Sequence, residues 1–302
     1  MFFNQSQAPV LLNKEVRLAL NTAIDRTTLI DNVFNGFATP ATGPIPYDKT
    51  DSEKMTDAAG AEDKTSNSIS TSSDASNLNI EKAKKILTDA GWKLNDEGVM
   101  IKETKNGKLV STQALTFTLS TSNIPELKKT AEELRDTWAK IGAKVDLEIF
   151  DGADLNQKVI KPRKYSALLF GNIINRDLDL YPFWHSSQRN DPGLNISLYA
   201  NLKVDKLLDT ARSGTDDETR LQAYADIEAE INKDIPAIFL YSPDYIYLTS
   251  GKAKNIKIDS INHPSERFSN INEWYTNTEN IWKFLIKTTA GKESEALKNE
   301  NE

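Results

Sequence analysis

The chain has 302 residues, enough for one large domain or two of medium size, and 38% of them are apolar and 27% charged. The formal net charge of −7 argues against a nucleic-acid-binding surface, because such a surface must attract phosphates. No window approaches the ~18 uninterrupted apolar residues of a membrane-spanning helix. The lack of cysteine excludes disulfides, thiolate metal sites and cysteine nucleophiles.

The first 48 residues predict two helices in succession. Four apolar residues follow the i, i+3, i+4, i+7 spacing of a helix: Val16, Ala19, Leu20 and Ala23. Asn13 would cap this helix, and Asp25 is typical of the N-cap of a second one that ends at Gly36. We interpret Arg17 and Arg26 as structural residues that each pair with a carboxylate.

Two polar segments stand apart from the rest of the chain. Residues 49–78 are rich in Ser, Thr, Asp, Ala and Lys and poor in bulky apolar side chains. Such a segment buries too little surface to offset its ordering entropy, so we predict a disordered, low-complexity insertion. Residues 289–302 are predicted to be a disordered tail. Asn79 would cap the helix that follows the insertion, and Gly91 would end it.

A strand–helix–strand unit is the clearest local pattern in the sequence. Two runs alternate with period two and predict half-buried strands: Leu115, Phe117 and Leu119, then Val145, Leu147 and Ile149. The helix between them begins near Pro125 and ends at Gly142. Further along, we predict a strand at 167–170, helices at 202–213 and 216–234, and strands at 237–241 and 245–249.

The alternation of strands and helices implies an open sheet covered by helices, with ligands bound in a crevice outside the strand ends. This points to the loop 171–199, which mixes aromatic side chains with amides and carboxylates. The structural alternative is that Phe183 and Trp184 anchor the loop in the core. Asp177 and Asp179 form a D-x-D pair that could hold a divalent cation, or could cap a turn. No Gly-rich phosphate loop or G-x-S-x-G motif is present, so we predict no catalytic residue, metal or cofactor.

Several segments, taken in order, resemble the family 5 extracellular solute-binding proteins, the oligopeptide-, dipeptide- and nickel-binding receptors of ABC importers. The segments that carry the resemblance are NKEVRLALNTAIDRTTLIDNVFNGFATPATGPIP (13–46), EKAKKILTDAGW (81–92), the helix–Gly–strand run 126–149, FWHSSQ (183–188) and IPAIFLY (235–241). Together they cover most of residues 10–250.

The resemblance implies an α/β fold, a periplasmic-binding-protein type II-like lobe with a mixed sheet flanked by helices. Residues 1–48 would begin this C-terminal lobe, 79–252 would form its ligand-binding part, and 253–288 would return to a first lobe missing from this chain. That first lobe would carry the export signal, which implies an extracytoplasmic protein, either periplasmic or a cell-surface lipoprotein.

The function implied is capture of an oligopeptide or similar polar solute, without turnover, and its delivery to ABC permease subunits by a monomeric receptor. The candidate ligand-binding residues are Asn172, Asn175, Asp177, Asp179, Trp184 and Asn195. Ile174 stands where peptide-binding relatives usually carry an acid that pairs with the ligand's α-amino group. One alternative is a metal-dependent glycosyl or nucleotidyl transferase using Asp177 and Asp179, and another is a scaffold domain.

Overall fold

The computed structural model describes residues 1–45, 72–106, 109–174, 178–258, 261 and 263–277. The chain divides into two units, Met1–Asp244 and Tyr245–Glu302. Within the described residues, no helix is both long enough and apolar enough to cross a membrane. Residues 49–71 of the predicted insertion (49–78) and the predicted tail at 289–302 lie outside the described residues.

The first unit is built on a four-stranded mixed sheet made of β1 (Phe2–Phe3), β6 (Thr116–Ser122), β7 (Lys144–Phe150) and β8 (Ala167–Leu168), in the order β1–β8–β6–β7. The central strand β6 pairs in parallel with β7 and with β8, and β1 is antiparallel to β8. The two strands expected from period-two alternation are therefore confirmed. The third predicted strand is shorter than expected, because only two residues of 167–170 pair.

Six helices surround this sheet in the described part of the first unit. They are α1 (Lys14–Ala23), α2 (Arg26–Phe34), α3 (Ser72–Asp89), α4 (Pro125–Ala139), α5 (Leu202–Ser213) and α6 (Asp217–Asp234). Shorter helical segments are the 3-10 helices Pro9–Leu12 and Ser186–Gln188, the turn Gly152–Asp154 that continues as the π-helix Leu155–Ile160, and Tyr181–Trp184. The smaller strands are β2 (Ala38–Pro40), β3 (Lys93–Leu94), β4 (Met100–Asn106), β5 (Leu109–Ala114) and β9 (Tyr241–Pro243).

The sheet separates two apolar cores, because successive side chains of a strand point to opposite faces. Ala167 and Leu169 contribute to one core, whereas Leu168 contributes to the other. Helix α4 covers the first face, with Pro125 in its first turn and Gly142 at a φ of +80° just beyond its end. These bounds confirm the predicted helix.

Several sequence-based expectations differ from the structure. Helix α3 begins at Ser72, so Asn79 lies inside the helix and is not its cap, and residues 72–78 belong to the helix and not to a disordered insertion. The predicted strand at 245–249 is wrong, since this segment forms no strand. At 237–241 only the last residue enters β9, and Ala237 forms an isolated bridge with Phe2. Helix formation at 202–213 and 216–234 is confirmed.

The antiparallel sheet β3–β4–β5 was not predicted. Asn106-Gly107, between two runs of β-prone residues, is the sequence signal that could have revealed its hairpin.

Arg17 and Arg26 are structural, as expected, but their partners were predicted wrongly. Arg17 donates to the main-chain oxygens of Leu11, Leu12, Asp234 and Ile235 at 2.7–3.0 Å. Arg26 likewise donates to backbone oxygens and to one amide oxygen, not to a carboxylate. Both guanidiniums therefore donate to backbone oxygens that lie at or near the ends of helices and strands, where these groups lack a partner within their own element.

Asp25 caps helix α2 and joins it to helix α3. Its carboxylate accepts hydrogen bonds from the backbone nitrogens of Thr27 (3.1 Å) and Thr28 (3.2 Å), as the sequence predicted. It also accepts from the hydroxyl of Ser76 at 2.7 Å. This contact from the second turn of α3 helps to explain why the helix extends so far before Asn79.

We expect Asp25→Ala to lower the free energy of unfolding by about 1–2 kcal/mol at neutral pH, because an N-cap is lost. Burial acts to raise the pKa of the Asp25 carboxyl, but the hydrogen bonds from Ser76, Thr28 and Thr27 outweigh it and hold the pKa below 3.8. A lowered folded-state pKa contributes stability above the unfolded pKa that is lost as pH falls through the folded pKa. Urea titrations at several pH values should show the difference between wild type and variant shrinking below about pH 4.

Asp96→Ala is the matched control for this measurement, because Asp96 is exposed in a turn. It should change stability by less than about 0.5 kcal/mol. An Asp25→Ala difference that stays constant down to low pH would show that the carboxylate's charge does not stabilise the cap.

The described part of the second unit holds a two-stranded antiparallel sheet, β10 (Ala253–Lys254) with β11 (Tyr275–Thr276). Two 3-10 helices, Pro264–Phe268 and Ile271–Glu273, lie between the strands. The rings of Phe268 and Trp274 pack with centroids 5.8 Å apart.

Candidate functional site

The carboxyl ends of the three parallel strands meet at one edge of the sheet, which we call the carboxyl edge. Ser122 pairs with Phe150, and the backbone nitrogen of Asn123 donates to the Phe150 oxygen at 2.7 Å. On the other side, the Thr121 hydroxyl donates to the backbone oxygen of Leu169 at 2.9 Å. The loops after the three strands therefore begin side by side, where open α/β sheets bind ligands.

Apolar side chains stand exposed at this edge. Ile124, after β6, is 51% exposed, while Phe170 and Ile173, after β8, are 39% and 76% exposed. Asn172, a predicted site residue, lies between these last two and is half-buried. The edge therefore offers apolar contact area with an amide in its middle, the mixture that orients a polar organic ligand. Ile124 and Phe170 were not among the predicted site residues, although their place directly after strand ends is the signal that marks them.

Asp179, another predicted site residue, is engaged in an ion pair. Its carboxylate accepts from the backbone nitrogen of Tyr181 and from Arg212, the latter at 2.6 Å. The hydrogen bond from Arg212 to Asp179 raises the pKa of the guanidinium. The Tyr181 ring contacts the Arg212 guanidinium at 4.2 Å and stacks on His185 at 4.1 Å. The carboxylate therefore holds the loop against helix α5.

Trp184 and Asn195 lie together in the interior. Trp184 is 2% exposed and packs its ring near those of Phe2, Tyr199 and Phe239. The Asn195 amide nitrogen donates to the backbone oxygens of Trp184 (3.3 Å), His185 (3.1 Å) and Tyr199 (2.9 Å). For Trp184, the alternative that it anchors the loop in the core describes its place in this unit.

The structure therefore separates the predicted site residues into three groups. Asn172 lies at the carboxyl edge, and Asp179, Trp184 and Asn195 belong to the framework of the loop that follows. Asn175 and Asp177 lie outside the described residues. Within the described residues, no group of three or more His, Cys, Asp or Glu side chains is placed to hold a metal ion. The binding role of all six remains a prediction.

Comparison with known proteins identifies the kind of protein that carries this architecture. The family model described as bacterial extracellular solute-binding proteins, family 5 Middle, matches residues 1–192. The chain is 29% identical over 266 residues to the oligopeptide-binding protein AppA of Bacillus subtilis, an alignment that covers 87% of this chain and 44% of AppA. It is 26% identical over 251 residues to the nickel-binding protein NikA of Staphylococcus aureus, covering 82% of this chain and 43% of NikA.

The solved structure of Bacillus subtilis AppA in complex with a nonapeptide superposes with a TM-score of 0.65 at 26% identity. The match covers 92% of this chain and 50% of the AppA chain. The fold is thus that of one part of a family 5 periplasmic binding protein. The chain spans less than half the length of the curated relatives it matches.

Proposed function

The chain belongs to the bacterial extracellular solute-binding proteins of family 5, and on that premise we propose that it is part of the substrate-binding component of an ABC-type importer. It captures an oligopeptide or a similar polar solute and delivers it to membrane permease subunits. The observation that carries the proposal is the family match over residues 1–192, which contain the whole four-stranded sheet and its carboxyl edge.

The solute binds at the carboxyl edge without chemical turnover. Exposed Ile124, Phe170 and Ile173 supply apolar contact, and Asn172 supplies hydrogen-bonding groups. The named relatives are binding proteins for a peptide and for nickel, which favours capture over catalysis. They give no support to the transferase alternative, and the ion pair of Asp179 with Arg212 leaves that carboxylate ill suited to a metal.

We further propose how the chain fits into the whole receptor. It corresponds to the C-terminal portion, in which residues 79–252 form most of the ligand-binding lobe and 253–288 return to a first lobe. The described part of this returning segment exposes Ile258 (37%), Ile271 (55%) and Tyr275 (56%), apolar side chains of the kind found at interaction sites. The receptor works as a monomer outside the cytoplasm, in the periplasm or as a cell-surface lipoprotein.

Thermal unfolding of the full-length product of the encoding gene, against a panel of peptides and small polar solutes, tests this function. A ligand that binds only the folded state raises Tm, by mass action worth about 2.7 kcal/mol at a hundredfold excess over Kd. We expect a concentration-dependent increase with at least one peptide or peptide-like solute. A flat response to every solute, with a shift for a sugar nucleotide plus Mn²⁺, would contradict the proposal.

A further inference from the structure

A second concavity lies at the end of the sheet opposite the carboxyl edge. Strand β1 runs antiparallel to β8, with Phe3 opposite Ala167 and the backbone nitrogen of Asn4 donating to the Ser166 oxygen at 2.9 Å. Gln5 therefore lies beyond the amino end of β8. Gln5 lines a cleft of about 840 Å³, which we call the amino-edge cleft. Its place in the fold makes it independent of the proposed solute crevice.

The cleft contains a buried cation with unused hydrogen-bonding capacity. Arg17 lines it and is only 6% exposed. A guanidinium carries five N–H groups. Four of the five N–H groups donate to backbone oxygens. Nε donates to that of Ile235, one Nη2 hydrogen to that of Asp234, and the two Nη1 hydrogens to those of Leu11 and Leu12. The second hydrogen on Nη2 has no partner among the residues that the structure describes. Because Arg17 lines the cleft, this second hydrogen can donate to an acceptor brought by a ligand.

The same cleft contains the Asp234 carboxylate, in which only one of the two oxygens accepts hydrogen bonds from the described residues. The Asp234 carboxylate accepts from the Tyr199 hydroxyl at 2.6 Å and from the Asn201 amide at 3.0 Å, both through Oδ2. No hydrogen bond to Oδ1 is present within the described part of the chain. Asp234 also lies at the end of α6, where the helix dipole disfavours a negative charge. A cationic ligand group at Oδ1 would donate a hydrogen bond to this oxygen and would offset the unfavourable interaction of the carboxylate with the helix dipole.

The cleft also has an exposed cation and apolar side chains in its wall. Arg189 is exposed, and its Nε donates to the Ser186 oxygen at 2.9 Å, while its terminal nitrogens make no hydrogen bond within the described part of the chain. Leu12, 60% exposed, and Leu198 line the cleft beside these charges. One concavity thus combines donors for an anion, an acceptor for a cation and a small apolar surface.

We propose that the amino-edge cleft binds a zwitterionic solute, a free α-amino acid with an apolar side chain. The carboxylate pairs with Arg189 and the spare Nη2 hydrogen of Arg17. The ammonium group donates to Oδ1 of Asp234, and the side chain contacts Leu12 and Leu198. The proposal goes beyond the proposed function, because this site lies at the other end of the sheet from the crevice.

Ligand-observed NMR titration of the 302-residue chain with three probes tests each charge separately. L-leucine carries both charges, N-acetyl-leucine lacks the cation and leucinamide lacks the anion. We expect saturable binding of leucine at millimolar concentration, and at least tenfold weaker binding of the other two, because each loses a charge-assisted hydrogen bond. Absence of leucine binding, or equal binding of all three probes, would overturn the proposal.

Three variants locate the binding. Arg189→Gln removes an exposed cation without disturbing the fold, and Asp234→Asn keeps an acceptor for Tyr199 while replacing the other oxygen with a donor. Each should weaken leucine binding tenfold or more, whereas Arg135→Gln, on the exposed face of α4, should leave it unchanged. Leucine binding that survives both Arg189→Gln and Asp234→Asn would place the amino acid elsewhere and refute the site. None of these results bears on solute capture at the carboxyl edge.

Discussion

Replacing Arg17 with methionine should lower the free energy of unfolding by about 4 kcal/mol or more, a large part of the 5–15 kcal/mol typical of a whole domain. Arg17 holds four backbone oxygens at once: two at the end of the first 3-10 helix (Leu11, Leu12) and two at the end of α6 (Asp234, Ile235). Methionine fills similar volume but donates nothing, so buried carbonyl groups lose their partners. Urea unfolding followed by far-UV circular dichroism measures the loss.

Two further variants make the Arg17 result specific. Arg17→Lys keeps the charge but cannot place several donors in a fixed plane, so it should recover only part of the loss. Arg135→Met removes an exposed arginine on α4 and should cost less than about 0.5 kcal/mol. If Arg17→Lys were as stable as wild type, the charge alone and not the planar set of donors would explain the role of this residue.

Asn195→Asp should be almost as damaging, with an expected loss of about 3 kcal/mol or more. Asn195 is fully buried, and its amide nitrogen serves three backbone oxygens while its oxygen accepts from the Ser197 hydroxyl at 2.9 Å. Aspartate has the same shape, but it would bring negative oxygens against those three carbonyl groups. The segment from Trp184 to Tyr199 would lose the bonds that fix its course.

Hydrogen exchange detects this effect locally. Backbone amides at 184–201 should exchange faster in Asn195→Asp than in wild type, under conditions where amides of α4 are unchanged. Asn190→Asp is the matched control, because Asn190 is exposed in the same loop and should have little effect on either. Uniform acceleration throughout the first unit, with no excess at 184–201, would contradict a local role for Asn195.

Local patterns were enough to predict the central part of the fold. Helix α4 has Pro125 at its start and Gly142 after its end, and the flanking strands alternate strictly, so every signal lies within a few residues. The family resemblance extended this to the whole lobe. The sequence also pointed to the loop after β8 as part of the binding site, because a polar, aromatic loop follows a short apolar strand, and that location stays a prediction.

Contacts between distant segments account for what the sequence did not reveal. The oxygens that Arg17 binds come partly from residues 217 and 218 positions away, at the end of a helix whose docking no local pattern shows. Residues 245–249 alternate like a strand but pair with no strand among the described residues, and Leu248 is left 88% exposed. The sequence could not show that Trp184 is buried in this unit, because two of its ring neighbours, Phe2 and Phe239, are far away along the chain.

Binding of solute at the carboxyl edge is tested most directly by hydrogen exchange with and without a ligand found in the thermal screen. On the full-length protein, we expect ligand to slow exchange at 122–124, 150–151 and 169–174, the segments that follow the parallel strands. The hairpin β4–β5, on a separate sheet, serves as the internal reference and should be unaffected. Slowed exchange elsewhere in the first unit, with no change in those three segments, would show that the solute does not bind at the carboxyl edge.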